Sequence, residues 1–382
     1  MKYKLLIIVF VFISNSVLSQ EVFIKSKAFN QDRKIFVSLP EHYDETTVGY
    51  PVIYVLDGQI LFNFSRGLYQ YNSDKYPPAI IVGIEQVNRD YELVEQHEGD
   101  TEDINMYSQF SEFFLNELMP YIDSAYRTNS IKIFIGHSHG GLFLLNKMVE
   151  HADINNCICI SPTVWMNDYA ILERFKSFSP AKNTNYKLYL GYGENDFKAI
   201  SNGILKLSEV INRDSSKKLS LVTNMYGDED HNSAILIGMR KGLDYFFKDY
   251  IFPEDKWDLI EKTGSDSIFF DHFNHLSVSF GCEISPCEDD FNQLGYYYLE
   301  SDRITDAINI FATNVKLYPY SSNVYDSYGE ALLKKNDLSK ALEYFQKALS
   351  IEKKGINNND QIKQYQTHIS QAKEMLNNSN KK

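Results

Sequence analysis

Ser138 lies in the segment Ile131–Gly141, which reads IKIFIGHSHGG. Gly136 and Gly140 flank the serine in a G-x-S-x-G pattern, an apolar run precedes it, and the apolar stretch GLFLLNKMV follows. This context predicts a tight strand-to-helix turn that leaves the serine hydroxyl exposed as a nucleophile. The N-terminus of the following helix would favour the negative charge that develops during attack on a carbonyl. The alternative is a plain strand-to-helix turn with an inert serine.

A serine nucleophile needs a general base, and a neutral imidazole is the usual one near pH 7. In folds with this strand-to-helix turn, the catalytic residues follow one another along the chain in the order serine, acid, histidine. His231 follows the last predicted strand in the short polar loop Gly227–His231, and it is the predicted base. A histidine on a surface loop is the alternative. Apart from His139, which directly follows the serine, the other histidines after Ser138 lie at the far end of the next helix or beyond residue 250: His151, His272, His275 and His368.

The acid of such a set should follow the preceding strand, within the segment KLYLGYGENDF. Asp196 and Glu194 both lie in the turn after this strand. Asp196 is preferred because it lies just past the strand end and before the next helix, while Glu194 remains open. Either carboxylate would hold His231 in one tautomer and stabilise the imidazolium that forms.

A tetrahedral intermediate needs backbone N–H donors for its oxyanion. His139, directly after the nucleophile, is predicted to supply one. The loop after the strand YPVIYVLDGQ is predicted to supply the other, because Gly58 lets the backbone turn and the Gln59 N–H can then face the site. Asp57 is expected to cap this loop.

Two further side chains are candidates for substrate contact. Trp165 either lines the acyl or alcohol pocket or packs structurally, and Arg89 either contacts a polar or anionic group of the substrate or anchors a loop through an ion pair. No metal is predicted, because His137 and His139 diverge on a tight turn and no ligand cluster stands near them. No cofactor is predicted either, since the chain carries no dinucleotide fingerprint and no specific phosphate loop.

From residue 21 to about residue 252, predicted strands and helices alternate along the chain, and these elements must position the residues described above. Fully apolar strands such as VIYVL suit a sheet buried on both faces, and the alternation predicts parallel connections, hence an α/β fold. The first two strands form a predicted antiparallel edge hairpin. The predicted strands are Val22–Lys27, Lys34–Ser38, Pro51–Leu56, Ala79–Ile84, Ile131–Gly136, Cys157–Ser161, Lys187–Gly191 and Leu219–Met225.

The last third of the chain carries an internal repeat. A Lys/Asp-rich stretch up to Ser267 is interpreted as a linker, and a short helix is predicted at Ile268–Phe280. Six positions then recur with a shift of 34 residues, a period and residue choice that resemble the tetratricopeptide repeat. Two copies are fewer than such arrays usually need, so the repeats should dock on a neighbouring part of the chain. The recurring positions are Phe291, Leu294, Gly295, Tyr298, Ala307 and Phe311, matched by Tyr325, Tyr328, Gly329, Leu332, Ala341 and Phe345.

The first residues predict export. Lys2 and Lys4 precede the apolar run Leu5–Ile13, and a small polar tail ends in a cleavage site near Gln20, which is the layout of a secretory signal peptide. A secreted or periplasmic location follows, and an uncleaved anchor is the alternative. The predicted organisation is a signal peptide at 1–19, a hydrolase domain at 20–252, a linker and connecting helix at 253–287, and helical repeats at 288–378.

Charge and cysteine content exclude other classes of protein. The chain of 382 residues has a formal net charge of -13, whereas a nucleic-acid binder needs Lys and Arg to neutralise phosphates. Four cysteines are too few for a disulfide scaffold. Cys157 and Cys159 are expected to be buried thiols, and Cys282 and Cys287 either remain thiols or close a small disulfide after export.

The chain resembles the esterase D and enterochelin-esterase-like branch of the α/β-hydrolases, which includes feruloyl esterases, S-formylglutathione hydrolases and mycolyltransferases. The resemblance covers about residues 20–250, and the matching stretches are YPVIYVLDGQ, AIIVGIEQVNRD, IGHSHGGLFLL, ISPTVWMND and KLYLGYGEND together with the late histidine. It implies Ser138 as nucleophile, His231 as base, Asp196 as acid, and Gln59 and His139 as oxyanion donors. Some siderophore esterases of this group work with a Ser–His pair alone.

The leading hypothesis is an exported serine esterase that hydrolyses a small-molecule ester, such as a siderophore ester or an aryl or feruloyl ester, through an acyl-enzyme on Ser138. An acyltransferase that uses the same acyl-enzyme is one alternative. The other is a non-catalytic protein with a hydrolase fold that recruits a protein partner through its helical repeats.

Overall fold

The structure is a computed structural model that describes residues 19–95, 106–182, 184–213, 218–355 and 358–379. The predicted signal peptide lies outside the described residues, except for Ser19 at its end. Within these ranges no helix combines the length and the apolar character needed to cross a membrane.

Among the described residues, eight strands between Ser19 and Tyr226 pair into one mixed sheet. The order across the sheet is β1-β2-β4-β3-β5-β6-β7-β8, with antiparallel pairing from β1 to β2 and from β2 to β4 and parallel pairing elsewhere. The predicted edge hairpin and parallel sheet are therefore confirmed. The strands are β1 (Ser19–Ser26), β2 (Gln31–Ser38), β3 (Tyr50–Val55), β4 (Ile80–Ile84), β5 (Thr128–His137), β6 (Asn156–Ile160), β7 (Tyr186–Gly193) and β8 (Leu219–Tyr226).

Helices cover both faces of the sheet, which explains why its central strands are apolar without alternation. Every residue of β3, β4 and β6 is buried. One hydrophobic cluster lies on each face: Phe110, Phe143 and Ile204 belong to the first, and Phe62, Met239 and Phe246 belong to the second. The covering helices are α1 (Gly58–Tyr71), α2 (Arg89–Leu93), α3 (Met106–Glu112), α4 (Met119–Ala125), α5 (His139–Glu150), α6 (Met166–Ser177), α7 (Lys198–Asn212) and α8 (Ala234–Phe247), with a π-helical turn, Phe113–Leu118, between α3 and α4.

After α8 the described residues form helices joined by short loops, and here one prediction is wrong. The stretch interpreted as a linker contains a helix, Glu254–Thr263, because Trp257 and Ile260 bury their side chains against Phe252 and Phe269. The charged residues between them concealed this face in the sequence. The helices are α9 (Glu254–Thr263), α10 (Ser267–Phe280), α11 (Glu288–Glu300), α12 (Ile304–Leu317), α13 (Ser322–Lys334), α14 (Leu338–Lys354) and α15 (Asn359–Ser379).

The 34-residue period recurs in the contacts of this helical region. A Cβ added to Gly295 of α11 would overlap the ring of Phe311 on α12, and one added to Gly329 of α13 would lie 2.6 Å from the ring of Phe345 on α14. Paired helices therefore approach equally closely in the two copies. The turns between the helices also match, because Asp302 and Asn336 both have positive φ angles, 58° and 66°.

The helical region packs against the sheet domain. Phe280, Cys282 and Ile284 lie against the hydrophobic cluster that contains Phe247. Farther along, the ring of Tyr320 stacks on that of His42 with centroids 3.9 Å apart. The two regions are thus joined by side-chain packing as well as by the chain.

All four cysteines of the chain are free thiols in the structure. Cys157 and Cys159 are buried in β6, as expected, and Cys282 and Cys287 are half-buried and unlinked.

Candidate active site

Ser138 occupies the turn between β5 and α5, at the carboxyl edge of the parallel strands. Its backbone has φ 55° and ψ -115°, a conformation that L-residues rarely adopt. Hydrogen bonds hold this conformation: the Ser138 N–H donates to the carbonyl of Ile160 at 2.9 Å, and the Ser138 carbonyl accepts from Thr163 N–H at 3.3 Å. A Cβ at Gly136 would lie 2.5 Å from the carbonyl oxygen of Gly140, so only glycine permits this close crossing of strand and helix.

His231 lies in the loop after β8, and its side chain contacts that of Ser138 although β6 and β7 lie between β8 and β5. Its Nε2 is 3.1 Å from Ser138 Oγ, and its Nδ1 is 2.9 Å from Asp196 Oδ1. Because a carboxylate only accepts, Nδ1 carries the proton, and Nε2 is free to accept the serine proton. The loop is braced by the Asp230 carboxylate, which accepts the N–H groups of Asn232 and Ser233 at 2.9 and 2.8 Å.

Asp196 follows β7 with no exposed side-chain surface. Its carboxylate accepts hydrogen bonds from Ser161 Oγ at 2.5 Å and from the Phe197 N–H at 2.7 Å, besides the one from His231. Burial raises the pKa of Asp196, but these hydrogen bonds outweigh burial and hold the pKa below its ordinary value. The carboxyl group is therefore ionised at neutral pH.

Of the two acid candidates, the structure brings only Asp196 to His231. The carboxylate of Glu194 instead accepts from the Asp228 N–H at 3.3 Å. The role of Ser161, which supports Asp196, was not predicted. Its place at the end of the predicted strand Cys157–Ser161 was the available signal.

Both predicted oxyanion donors lie in first turns of helices. His139 is the first residue of α5, and Gln59 is the second residue of α1, where a loop was expected. First-turn N–H groups have no partner within their own helix, so they are available to a ligand oxygen. Asp57 precedes α1 with φ 56° and makes no capping hydrogen bond through its side chain, contrary to expectation.

Arg89 makes a loop-anchoring ion pair, one of its two predicted roles. Its Nε is 2.6 Å from Asp57 Oδ1, and one terminal nitrogen is 2.9 Å from Asp57 Oδ2 and 3.1 Å from the carbonyl oxygen of His137. Trp165 directly precedes α6 and keeps 40% of its surface exposed. Gln86, which was not predicted, accepts from the Asp57 N–H at 2.5 Å and so also fixes the start of α1.

The histidines on either side of Ser138 have different environments. Burial and the neighbouring His231 lower the pKa of His137 to about 4. Burial and Arg89 lower the pKa of His139, although its Nδ1 lies 3.1 Å from Asp90 Oδ1. Across the described ranges, no three His, Cys, Asp or Glu side chains converge in a way that could hold a metal ion.

Comparisons with known proteins agree with this architecture. The model of the family described as "Putative esterase" matches residues 26–234, more than half of the chain, and this span contains Ser138, Asp196 and His231. The siderophore triacetylfusarinine C esterase of Aspergillus fumigatus is 23% identical over 264 residues, which cover 58% of this chain and 90% of that protein.

Solved structures show the same fold. An IroE-like serine hydrolase from Shewanella oneidensis is 24% identical and superimposes with a TM-score of 0.63 over 75% of this chain and 95% of its own. An uncharacterised protein from Capnocytophaga ochracea, 19% identical, also reaches 0.63 and covers 93% of this chain and 99% of its own, so the likeness extends into the helical region. The protein is a hydrolase that acts on ester bonds, and it belongs to this esterase family.

Proposed function

We propose that the protein is a serine esterase in which Ser138 is the nucleophile, His231 the general base and Asp196 the acid that orients the base. The proposal rests on the two hydrogen bonds of His231, 3.1 Å to Ser138 Oγ and 2.9 Å to Asp196 Oδ1. These distances lie within the range that proton transfer requires. The backbone geometry of Ser138 supports the same assignment, because strain of this kind clusters at functional sites.

In the acylation step, Ser138 Oγ attacks the ester carbonyl carbon and its proton passes to His231 Nε2. The oxyanion of the tetrahedral intermediate accepts hydrogen bonds from the N–H groups of His139 and Gln59. The bond to the alcohol oxygen then breaks, and the alcohol leaves with the proton that His231 held. The acyl group remains on Ser138 as an ester.

Water completes the turnover by the reverse sequence. His231 Nε2 takes a proton from water, the resulting hydroxide attacks the acyl-enzyme, and collapse of the second intermediate returns a proton to Ser138 and releases the carboxylic acid. Throughout, the Asp196 carboxylate stabilises the imidazolium form of His231 and keeps its ring oriented.

We propose a small-molecule ester of the siderophore type as the substrate. The support is the Aspergillus fumigatus relative, a siderophore esterase that this chain matches over 90% of its length. Aryl and feruloyl esters, which the family resemblance implies, are the comparison substrates. A panel of all three classes, each tested for hydrolysis and for acyl transfer to an added alcohol, decides among them.

A fluorophosphonate probe tests the nucleophile. Wild-type protein should become labelled and Ser138→Ala should not, with ester hydrolysis by the variant falling about 10⁴-fold or more. Ser124→Ala, at an exposed serine on α4, is the matched control and should label as wild type does. A folded wild type that stays unlabelled would favour a binding protein that recruits a partner through its helices. Faster acyl transfer than hydrolysis would make the protein an acyltransferase.

We also propose that residues 1–19 form a cleaved signal peptide, followed by a hydrolase domain at 20–252, a connecting segment at 253–287 and tetratricopeptide-like repeats at 288–378. Cleavage near Gln20 would remove only Ser19 from β1, whose pairing with β2 runs from Ser19 to Ser26. The mass of the protein recovered from the medium or periplasm of an expressing cell should correspond to a chain that begins near Gln20. Recovery of the uncut chain in the membrane fraction would indicate an anchor.

A further inference from the structure

His137 is the last residue of β5 and directly precedes the proposed nucleophile, yet it has no part in the proton transfers described above. Its side chain is buried, with 8% of the residue exposed. A buried polar ring costs free energy unless it forms hydrogen bonds, so its partner indicates what it does.

The partner of His137 is the backbone of the proposed base. Its Nε2 lies 2.8 Å from the carbonyl oxygen of His231, and the centroids of the two rings are 4.6 Å apart. A carbonyl oxygen only accepts, so His137 Nε2 carries the proton and donates it. This bond joins the end of the nucleophile strand to the loop that carries the base.

The main chain of His137 is held by a second contact. Its carbonyl oxygen accepts from Arg89 at 3.1 Å, and the same guanidinium forms the two-bonded ion pair with Asp57 at the start of α1. The contacts therefore run without a break from α1, which carries Gln59, through Arg89 and His137 to His231. His137 therefore links the segments that supply an oxyanion donor, the nucleophile and the base.

We propose that His137 is a positioning residue, which fixes the backbone of His231 relative to Ser138 so that the proton-transfer distance is preset. The inference rests on the proposed function of Ser138 and His231. Misplacement of reacting groups by about 1 Å can cost on the order of 10²-fold in rate. Loss of the bond would also leave the His231 carbonyl without this donor.

The charge of His137 suits this role. When His231 accepts the serine proton it becomes a cation, with the His137 ring 4.6 Å away. Burial and His231 lower the pKa of His137 to about 4, so the ring is neutral at pH 7 and adds no repulsion. An arginine or lysine at this position would oppose the proton transfer.

Three substitutions separate the donated hydrogen bond from mere packing. His137→Phe keeps a ring but has no donor, His137→Asn has a donor too short to reach the His231 carbonyl, and His137→Gln places an amide N–H near the position of the histidine Nε2. His151, an exposed residue directly after α5, provides the matched controls His151→Phe and His151→Gln. The assays are p-nitrophenyl acetate hydrolysis, the rate of fluorophosphonate labelling and the thermal midpoint, all on the full chain.

We expect His137→Phe and His137→Asn to lower kcat and the labelling rate by about 100-fold, with KM within about twofold of wild type. His137→Gln should recover both rates to within about fivefold of wild type, and the His151 variants should match wild type. If His137→Phe does not fold, His137→Asn carries the comparison. If His137→Asn folds and its kcat equals that of His137→Gln, the proposal is overturned. A wild type that neither labels nor hydrolyses overturns the proposed function instead, before any variant is compared.

Discussion

At the scale of single residues, Asp196 shows how the site keeps a buried charge. Its carboxylate receives three hydrogen bonds, from Ser161, from the Phe197 N–H and from His231. Donors of this kind stabilise the charged form, which burial alone would disfavour. An asparagine here would place an amide N–H group opposite groups that are themselves donors. It would also favour the tautomer of His231 that carries its proton on Nε2, which cannot accept the serine proton.

We therefore expect Asp196→Asn to lower kcat by about 10³- to 10⁴-fold while the protein remains folded. Glu194→Gln is the matched control, because the Glu194 carboxylate contacts the Asp228 N–H rather than His231. It should retain activity within about threefold, as is usual for a change outside the proton-transfer path. Steady-state kinetics on an aryl ester measure both. A larger loss in Glu194→Gln than in Asp196→Asn would reassign the acid.

The pKa of His137 predicts a pH-dependent stability. In the folded protein it is about 4, against 6.5 for the ordinary side chain. Between these values the unfolded chain takes up a proton that the folded chain does not, so the free energy of unfolding falls as the pH drops below about 6.5. From pH 7.5 to 5 this residue should account for a loss of roughly 2 kcal/mol.

Urea denaturation at the two pH values tests this. His137→Phe should show a smaller loss between pH 7.5 and 5 than wild type, because it has no imidazole to titrate. His151→Phe, which removes an exposed histidine, should show the full loss. Equal losses in all three proteins would mean that other groups cause the acid sensitivity.

At the scale of elements, close helix pairing explains why glycine recurs in the repeats. A methyl group at Gly329 would meet the Phe345 ring at 2.6 Å. We expect Gly329→Ala to lower the free energy of unfolding by about 1–2 kcal/mol, because overpacking outweighs the better helix propensity of alanine. Gly67→Ala in α1, where nothing lies within 4 Å of the added methyl, should instead raise it by up to about 1 kcal/mol. Chemical denaturation measures both; a neutral Gly329→Ala would show that the helices move apart easily.

The strands were predictable and α9 was not, for one physical reason. A strand buried on both faces, such as β3 or β4, is apolar throughout, so its pattern is visible locally. In α9 only Trp257 and Ile260 are buried, and their partners Phe252 and Phe269 lie outside the helix. Its polar residues therefore resembled those of a linker.

The site likewise contains parts that could be predicted from local sequence and parts that could not. The turn around Ser138 and the loop of His231 could be located from strand ends and glycine spacing, and the structure places the two side chains 3.1 Å apart. The role of Ser161 and the bond from His137 to the His231 carbonyl were not predicted, because they depend on the order of the strands across the sheet and on how far their loops reach.

At the scale of the whole molecule, the helical region covers part of the sheet domain. Phe280, Cys282 and Ile284 pack against the cluster that contains Phe247, and Tyr320 stacks on His42. A chain that ends at Phe252 loses all of these contacts. It would expose an apolar patch of the kind that causes association.

We expect that shortened chain to have a lower thermal midpoint than the full chain and to bind a hydrophobic dye. Differential scanning fluorimetry and size-exclusion chromatography measure these properties. A shortened chain that is monomeric, equally stable and equally active would show that the helices serve a partner instead of covering the sheet.

Because β8 lies at the edge of the sheet, ester hydrolysis and secondary structure should be lost at different urea concentrations. This strand ends the sheet, so it is paired on one side only, and the loop after it carries His231. Edge strands can detach at a lower free energy than global unfolding requires. Fraying of β8 would separate base from nucleophile while the remaining seven strands stay paired. On titration with urea, ester hydrolysis should therefore disappear before the far-UV circular dichroism changes, which makes activity a reporter of the edge of the sheet.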